Sequence, residues 1–499
     1  MPPVTSVLIA NRGEIAVRII RTCRAMGVRT VAVYSEADTG APHVALADQA
    51  VAIGPAPARA SYLDVAALLA AARASSADAV HPGYGFLSEN AAFARAVADA
   101  GLTFIGPPPA AIAAMGDKVA ARARMEAAGV PVVPASGILA PEPGAFAPAA
   151  AAIGYPVVIK AAAGGGGKGM RIVRDAGELP DAIRAAAREA TAAFADGRIY
   201  LERCLERSRH VEVQVFGDRH GTIVHLGERE CSIQRRHQKI VEEAPSPAVD
   251  AALRAAMTDA AVRAARAVDY VGAGTIEFLL DDTGRFYFRE MNTRLQVEHP
   301  VTEWTTGLDL VREQILVARG EPLSFGSLAP RGHALECRLY SEDPARQFLP
   351  VTGTIRVLTE PTGPWVRFDG GVARGSVVGV EYDPMLAKIS TWGATREEAR
   401  TRMLAALRET VVLGLVTNRD YLRAVLAHPA FIAGATHTEF LAEHFADWRP
   451  RRGRDRDLAA IAAALALTTS ARADAATDAG EAAPSPFAAL GDWRAGGGS

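Results

Sequence analysis

The sequence predicts a multidomain protein of α/β and α+β class, on three observations. Short apolar runs alternate with alanine-rich helical patterns over residues 6–105. A glycine-rich loop directly follows a β-branched strand ending at Lys160. From residue 211 to 291, strands separated by glycine turns read as antiparallel neighbours. A length of 499 residues fits about three domains.

Composition narrows the function classes. Lys and Arg number 54 against 56 Asp and Glu, a net charge of −2, which argues against a polyanion partner. Hydrophobic residues make up 49% and aromatics 6%, enough for a sizeable core and unlike a disordered polymer. The four cysteines (Cys23, Cys204, Cys231, Cys337) are scattered, so neither a disulfide framework nor a cysteine zinc site is expected, and a reducing compartment is. Residues 1–10 lack the pattern of a signal peptide, and no run of about 18 apolar residues is free of charge and proline. The expectation is a cytoplasmic protein with no nucleic-acid or membrane partner.

Taken in order, residues 6–10, 30–34, 79–81 and 103–105 read as buried strands, and 14–26, 65–74 and 91–100 as helices. This alternation implies βαβ units and a parallel sheet. Glu36 follows the second strand, as in dinucleotide sites, but the first turn (Ala10-Asn-Arg-Gly-Glu14) has one glycine where that fingerprint needs three. A Rossmann-like scaffold without nicotinamide is the better reading. Residues 115–128 read as a helix, and a proline-rich stretch, 141–148, separates it from a strand at 155–160. A long helix is expected at 250–268. Alternating strands begin near His333 and end in a helix at 396–409; the Ala/Thr/Asp/Pro-rich tail after Trp448 reads as weakly structured or as a linker.

Three motifs carry chemistry. In Val157-Val-Ile-Lys160-Ala-Ala-Ala-Gly164-Gly-Gly-Gly167-Lys168-Gly169, successive backbone N–H groups without Cβ hindrance can curl around phosphate oxygens while the lysines add charge. The helix-opening Gly-Lys-Ser/Thr of a P-loop is absent. The second motif is a hairpin around Asp281-Asp-Thr-Gly-Arg285. Centring its turn between Thr283 and Gly284 places Leu279 opposite Phe288 and Glu277 opposite Glu290, and two facing carboxylates call for a cation such as Mg²⁺ on nucleotide phosphates. Asn292, Arg294, Gln296 and Glu298 keep the parity of Glu290, so an extended chain would hold them on the same side. The third is Glu228-Arg-Glu-Cys-Ser-Ile-Gln234-Arg-Arg-His237-Gln-Lys239, too poor in aromatics to read as an RNA site. His210, Glu212 and Gln214 share one face of a strand, a pattern more often found on a surface.

Together, Ala10-Asn-Arg-Gly-Glu-Ile-Ala16, His81-Pro-Gly-Tyr-Gly-Phe-Leu-Ser-Glu-Asn90, Met115-Gly-Asp-Lys118, the glycine loop, Gln234-Arg-Arg-His-Gln-Lys239 and Glu290-Met-Asn-Thr-Arg-Leu-Gln-Val-Glu-His299 resemble the motifs of biotin carboxylase over residues 4–447. Tyr382-Asp-Pro-Met-Leu-Ala-Lys388 is more similar to the α subunits of acyl-CoA carboxylases of the methylcrotonyl- and propionyl-CoA type. The resemblance implies a Rossmann-like N-terminal domain (1–114), an ATP-grasp domain (115–332) with a mobile lid (about 131–204), a C-terminal barrel-sandwich domain (333–447) and a tail (448–499).

It also implies roles. ATP would meet Lys118, Lys160, Gly165, Gly166, Gly167, Glu202, Leu205, His210, Gln234, His237 and Leu279, with Gln234 and His237, like Tyr84, also lying along the biotin pocket. Glu277, Glu290 and Asn292 would hold Mg²⁺, with Mn²⁺ as a substitute. Lys239, Arg294, Gln296 and Val297 would bind bicarbonate, and Glu298 would deprotonate it. Arg338 would stabilise the biotin enolate beside Tyr84. Catalysis would thus rest on Glu298, Arg294, Arg338 and Lys239. The implied reaction is ATP- and bicarbonate-dependent carboxylation of biotin through carboxyphosphate, with a biotin carrier domain or protein and a carboxyltransferase β subunit as partners in a homodimer or larger α/β assembly. Another bicarbonate-phosphorylating ATP-grasp ligase, of the carbamoyl-phosphate-synthetase kind, is the alternative.

Three departures stand out. Lys168 stands where an arginine is also seen, Arg289 stands where an apolar residue is common on the face opposite Glu290, and no Ala-Met-Lys-Met biotinylation sequence occurs. The last predicts a chain that acts on biotin without carrying it.

Overall fold

Five short strands form a parallel sheet in the order Gln49–Ala52, Arg29–Tyr34, Ser6–Ile9, Ala79–His81 and Thr103–Phe104. The central strand is buried along its whole length, as a strand covered on both faces must be. Helix Gly13–Ala25 lays Ile15, Ala16, Ile19, Ile20 and Cys23 against the sheet. Helices Val65–Ala74 and Ala91–Asp99 start where Asp64 and Asn90 accept the Ala67 and Phe93 amides. The structure, a computed structural model, describes residues 4–139, 143–162, 170–194, 196–236, 238–450, 459, 461–463 and 465, and for 118, 119, 143, 193 and 194 the backbone alone.

Two expectations are corrected here. Residues 115–128 are not one helix but the end of Pro109–Gly116 and the whole of Lys118–Ala127. Asp117 is extended (φ −92°, ψ 110°) and its carboxylate accepts the Ala120 amide at 3.0 Å, so a cap interrupts the apolar run. The proline-rich stretch 141–148 is no plain separator, since helix Pro143–Ile153 runs through Pro148. Its alanines favour the helix, and Phe146 anchors it in the core.

That helix and Leu179–Phe194 back a three-stranded antiparallel sheet, Arg171–Val173, Val157–Ala161 and Ile199–Arg203, around Phe146, Ile159, Ile183 and Leu201. The largest sheet is antiparallel and eight-stranded, in the order Phe286–Asn292, Gly272–Leu280, Arg209–Gly217, Ile223–Arg235, Gln238–Ala244, His333–Tyr340, Met385–Gly393 and Val366–Gly370. Gln238–Ala244 pairs directly with His333–Tyr340, so residues from distant stretches of chain share one continuous surface. Helix Ala251–Arg266, capped by Asp250, packs Met257, Ala260, Ala261 and Ala264 beneath it. Residues 449–499 form a separate unit, in which 459, 461–463 and 465 are helical and exposed.

Candidate active site

Strand register brings the carboxylates together. Glu290 lies opposite Glu277, Glu277 opposite Glu212, and Glu212 opposite Arg229, a row across four strands. Facing carboxylates repel unless cations are interleaved. Lys239 supplies one: its Nζ lies 2.6 Å from Glu212, 2.9 Å from Glu277 and 2.6 Å from Glu298. Burial alone would push the lysine down, but the three carboxylates outweigh it and hold the ammonium well above its usual range. Burial likewise pushes Glu298 up, yet Lys239, Arg338 and Arg229 outweigh it and hold the carboxyl well below the usual range. Glu277 is kept ionised in the same way, by Lys239 and by His210, whose Nε2 is 3.0 Å away.

Arg229 is fully buried and closes the row. It donates to Glu212 (2.7 Å), Gln214 (2.7 Å), Thr275 (3.0 Å), Gln296 (2.6 Å) and Thr302 (3.0 Å). Arg338 bridges Glu242 (2.5 Å) and Glu298 (3.0 Å), and Arg294 donates to Glu89 (3.0 Å) and Asn292 (2.8 Å). Glu277 also accepts from Asn292 (2.9 Å) and Gln296 (3.1 Å). Glu89, Arg229 and Glu242 have no role in the sequence reading, which takes Glu212 as a surface residue. The signal for Arg229 is visible in retrospect: Glu228, Arg229 and Glu230 are three consecutive charged residues within the strand Ile223–Arg235.

The hairpin register confirms Glu277 opposite Glu290 and corrects the rest. Leu279 pairs with Tyr287, not Phe288, because a β-bulge between Glu277 and Phe278 adds Arg289 to the opposite strand. A bulge also breaks alternation, so Arg289 is not turned away from Glu290's neighbours: its guanidinium lies 2.9 Å from His210 Nδ1. Nor does period 2 align the later residues. The strand ends at Asn292, and a loop returns Arg294, Gln296 and Glu298 to the same cluster. His210, Glu212 and Gln214 do share a face, but it is buried rather than a surface.

The nucleotide residues are more spread. Lys160 donates to Glu202 across the three-stranded sheet. Leu205 is half-buried in the connection that leaves it, and Leu279 lies opposite His210. Gln234 Nε2 is 2.7 Å from His210 Nδ1. Gly165, Gly166, Gly167 and His237 lie outside the described residues, as does the side chain of Lys118. A cavity of about 480 Å³ opens beside the cluster, its lining including Glu14, Tyr84, Arg294, Val297, Arg338 and Tyr382. Lys388 donates to the Val297 carbonyl at 2.6 Å, which fixes that wall. The oxygen donors of Glu277, Glu290 and Asn292, on adjacent strands, suit a hard divalent cation carried in on nucleotide phosphates.

A buried carboxylate row, a strand that leads into a glycine-rich sequence, and a cation-clamped acid next to the cavity-lining Val297 define an ATP-grasp ligase. Residues 3–112 match the biotin carboxylase N-terminal domain, 117–325 the ATP-binding domain of the carbamoyl-phosphate synthase L chain, and 336–443 the biotin carboxylase C-terminal domain. The chain is 51% identical over 439 residues to a biotin carboxylase of Nostoc sp., covering 88% of this chain and 98% of the relative. It is 49% identical over 467 residues, 93% of this chain, to the mitochondrial methylcrotonoyl-CoA carboxylase α subunit of Rattus norvegicus, of which it spans 65%. Among solved structures, the Campylobacter jejuni biotin carboxylase ATP complex superposes with a TM-score of 0.84 at 45% identity, covering 88% of this chain and 99% of that one. The biotin carboxylase domain dimer of Hydrogenobacter thermophilus 2-oxoglutarate carboxylase, bound to MgADP, ADP and bicarbonate, does so with 0.84 at 41% identity, covering 91% and 100%. The chain belongs to the biotin carboxylase family. No helix among the described residues is long and apolar enough to cross a membrane.

Proposed function

We propose that the protein couples cleavage of ATP to carboxylation of biotin presented by a carrier domain or protein. The observation that carries this reading is Glu298, a buried carboxylate held by Lys239 on one oxygen and Arg338 on the other, beside a cavity that Arg338, Tyr84, Arg294 and Val297 line. Bicarbonate takes its place among Lys239, Arg294, Gln296 and the Val297 backbone, exchanging some of the internal ion pairs for its own. Glu298 accepts its proton. Attack of the bicarbonate oxygen on the γ-phosphorus breaks its bond to the β-phosphate, so carboxyphosphate forms and ADP leaves; Lys160, Lys118 and the glycine loop hold the phosphates, and Glu277, Glu290 and Asn292 would hold the Mg²⁺ that neutralises their charge. This mixed anhydride breaks down to CO₂ and phosphate, the phosphate takes the ureido proton of biotin, and the deprotonated nitrogen of the enolate that Arg338 stabilises attacks CO₂ to give carboxybiotin. Cationic clamps and water exclusion suit so labile an intermediate.

A carboxyltransferase β subunit and a homodimeric or larger α/β assembly complete the reading, with the acyl-CoA acceptor chosen outside this chain. The four cysteines are free, which fits a reducing compartment, the cytoplasm in this reading. The test is ATP hydrolysis with and without bicarbonate and free biotin. Stimulation by both supports the proposal. Turnover indifferent to both defeats it, and stimulation by ammonia in place of biotin favours the carbamoyl-phosphate-type alternative.

A further inference from the structure

Residues 204–208 connect strand Ile199–Arg203 of the three-stranded sheet to strand Arg209–Gly217 of the large one, and they pass beside helix Phe440–Phe445. The Thr438 amide donates to the Ser208 carbonyl at 2.9 Å. Arg207, in the left-handed region at φ 53°, reaches Glu443 at 3.0 Å and His437 Nε2 at 3.4 Å. Around this guanidinium, His437 Nε2 lies 3.2 Å from one Glu443 oxygen and His444 Nε2 lies 3.6 Å from the other. One ligand atom from each of the three residues falls within 4.8 Å of the others.

The two separations between imidazole and carboxylate, 3.2 and 3.6 Å to different Glu443 oxygens, are close to those in a metal shell. Ligand bonds of about 2.0–2.2 Å in tetrahedral geometry put neighbouring ligand atoms roughly 3.3–3.6 Å apart. Two imidazoles and one carboxylate suit a borderline ion such as Zn²⁺ or Co²⁺ better than Mg²⁺. His437 is buried and rests against Phe440, while Glu443 and His444 reach the surface and leave an entry path. His428, its ring 4.5 Å from that of His444, is a third imidazole at hand.

We propose that His437, Glu443 and His444 form a binding site for a divalent transition-metal ion of the zinc class, and that the ion takes the place of the Arg207 guanidinium. Arg207 is the cation around which the ligands are arranged here, and its side chain is 62% exposed, free to swing into water. Exchange would release the connection between the two sheets from its ion pair with Glu443, which makes the site a means of altering the hold on the three-stranded sheet. None of the three ligands is a residue assigned above to ATP, bicarbonate or biotin.

The experiment is titration of the metal-free full chain with Co²⁺, followed by its visible absorption. The wild type should give one tetrahedral-type spectrum per chain. Loss of a direct ligand in His444→Ala, or in Glu443→Gln, should weaken it beyond the roughly 10–100-fold that an outer-sphere change costs. Glu277→Gln, which alters the separate His210, Glu212 and Glu277 group, should leave the signal in place. Arg207→Ala removes the competing cation and should tighten binding several-fold. Unchanged binding in His444→Ala with ATP binding intact, loss of the signal in Glu277→Gln, or no Co²⁺ spectrum in the wild type would each overturn the site. Weaker or unchanged binding in Arg207→Ala would overturn the exchange.

Discussion

Lys239 Nζ and Glu298 Oε1 lie 2.6 Å apart, and the same ammonium holds two further carboxylates, Glu212 and Glu277. The base of the proposed reaction and one of the nucleotide-metal ligands, Glu277, are therefore tied through one cation. Glu298→Gln keeps the shape and removes the proton acceptor. Bicarbonate-dependent turnover should fall by about 10²–10⁴, the usual cost of losing a positioned general base. Nucleotide binding, measured by calorimetry with MgADP, should change little. An undiminished rate would move the base to another residue.

Glu290 faces Glu277 across the hairpin and shares its task as a metal ligand in this reading, unlike Glu298. Glu290→Gln should weaken Mg²⁺-dependent nucleotide binding itself, raising the Mg²⁺ concentration for half-maximal rate by about tenfold or more, as loss of an inner ligand exceeds an outer-sphere change. The ratio of bicarbonate-dependent to basal hydrolysis at saturating Mg²⁺ should move less than in Glu298→Gln. The pair of variants thus separates metal binding from proton transfer.

Arg229 is the fully buried brace beneath both. Replacing it with methionine leaves Gln214, Gln296, Thr275 and Thr302 without its donors and Glu212 with Lys239 as its remaining cation. Breaking a buried pair from one side typically costs about 3–5 kcal/mol. Arg229→Lys should rescue only part, because one ammonium cannot reach five acceptors arranged around a planar fork. Urea denaturation of both variants checks the order wild type, Lys, Met.

Much of this architecture is legible in the chain itself. The strands around Leu8, Val31 and Val80 announce themselves as apolar runs, and Asp64, Asn90 and Asp250 mark helix starts by local hydrogen bonding that needs no tertiary information. The facing of Glu277 and Glu290 follows from a short turn between them. What escapes is non-local. Glu242 lies opposite Glu336 only because Gln238–Ala244 pairs with a strand some ninety residues later, and no local pattern encodes that order. The bulge at Arg289 is a single inserted residue without glycine or proline to signal it, and it turns one cation toward His210. Convergence of Arg294, Gln296 and Glu298 was anticipated by strand periodicity, whereas a loop achieves it.

Glu14 offers a pH signature. It lines the cavity, both its carboxylate oxygens lack hydrogen-bond partners, and Lys388 Nζ is 3.6 Å away. Burial pushes its carboxyl up to about 7, more than Lys388 and Arg367 pull it down, and Asp369 adds to the rise. In the unfolded chain the same group titrates near 4.5. Between these values the folded state keeps a proton that the unfolded state has released, so its stabilising contribution is full below about 4.5 and is lost as pH rises toward 7. From pH 5 to pH 8 this single group should withdraw roughly 2–3 kcal/mol of stability. Glu14→Gln is neutral throughout and should escape that loss, while Glu242, whose carboxyl burial also raises to about 7, titrates alike in both proteins and cancels. The stability of Glu14→Gln relative to wild type, from urea midpoints at pH 5 and pH 8, should therefore increase with pH. A difference that stays constant across that range would mean that Lys388 keeps the Glu14 carboxylate ionised in the folded protein.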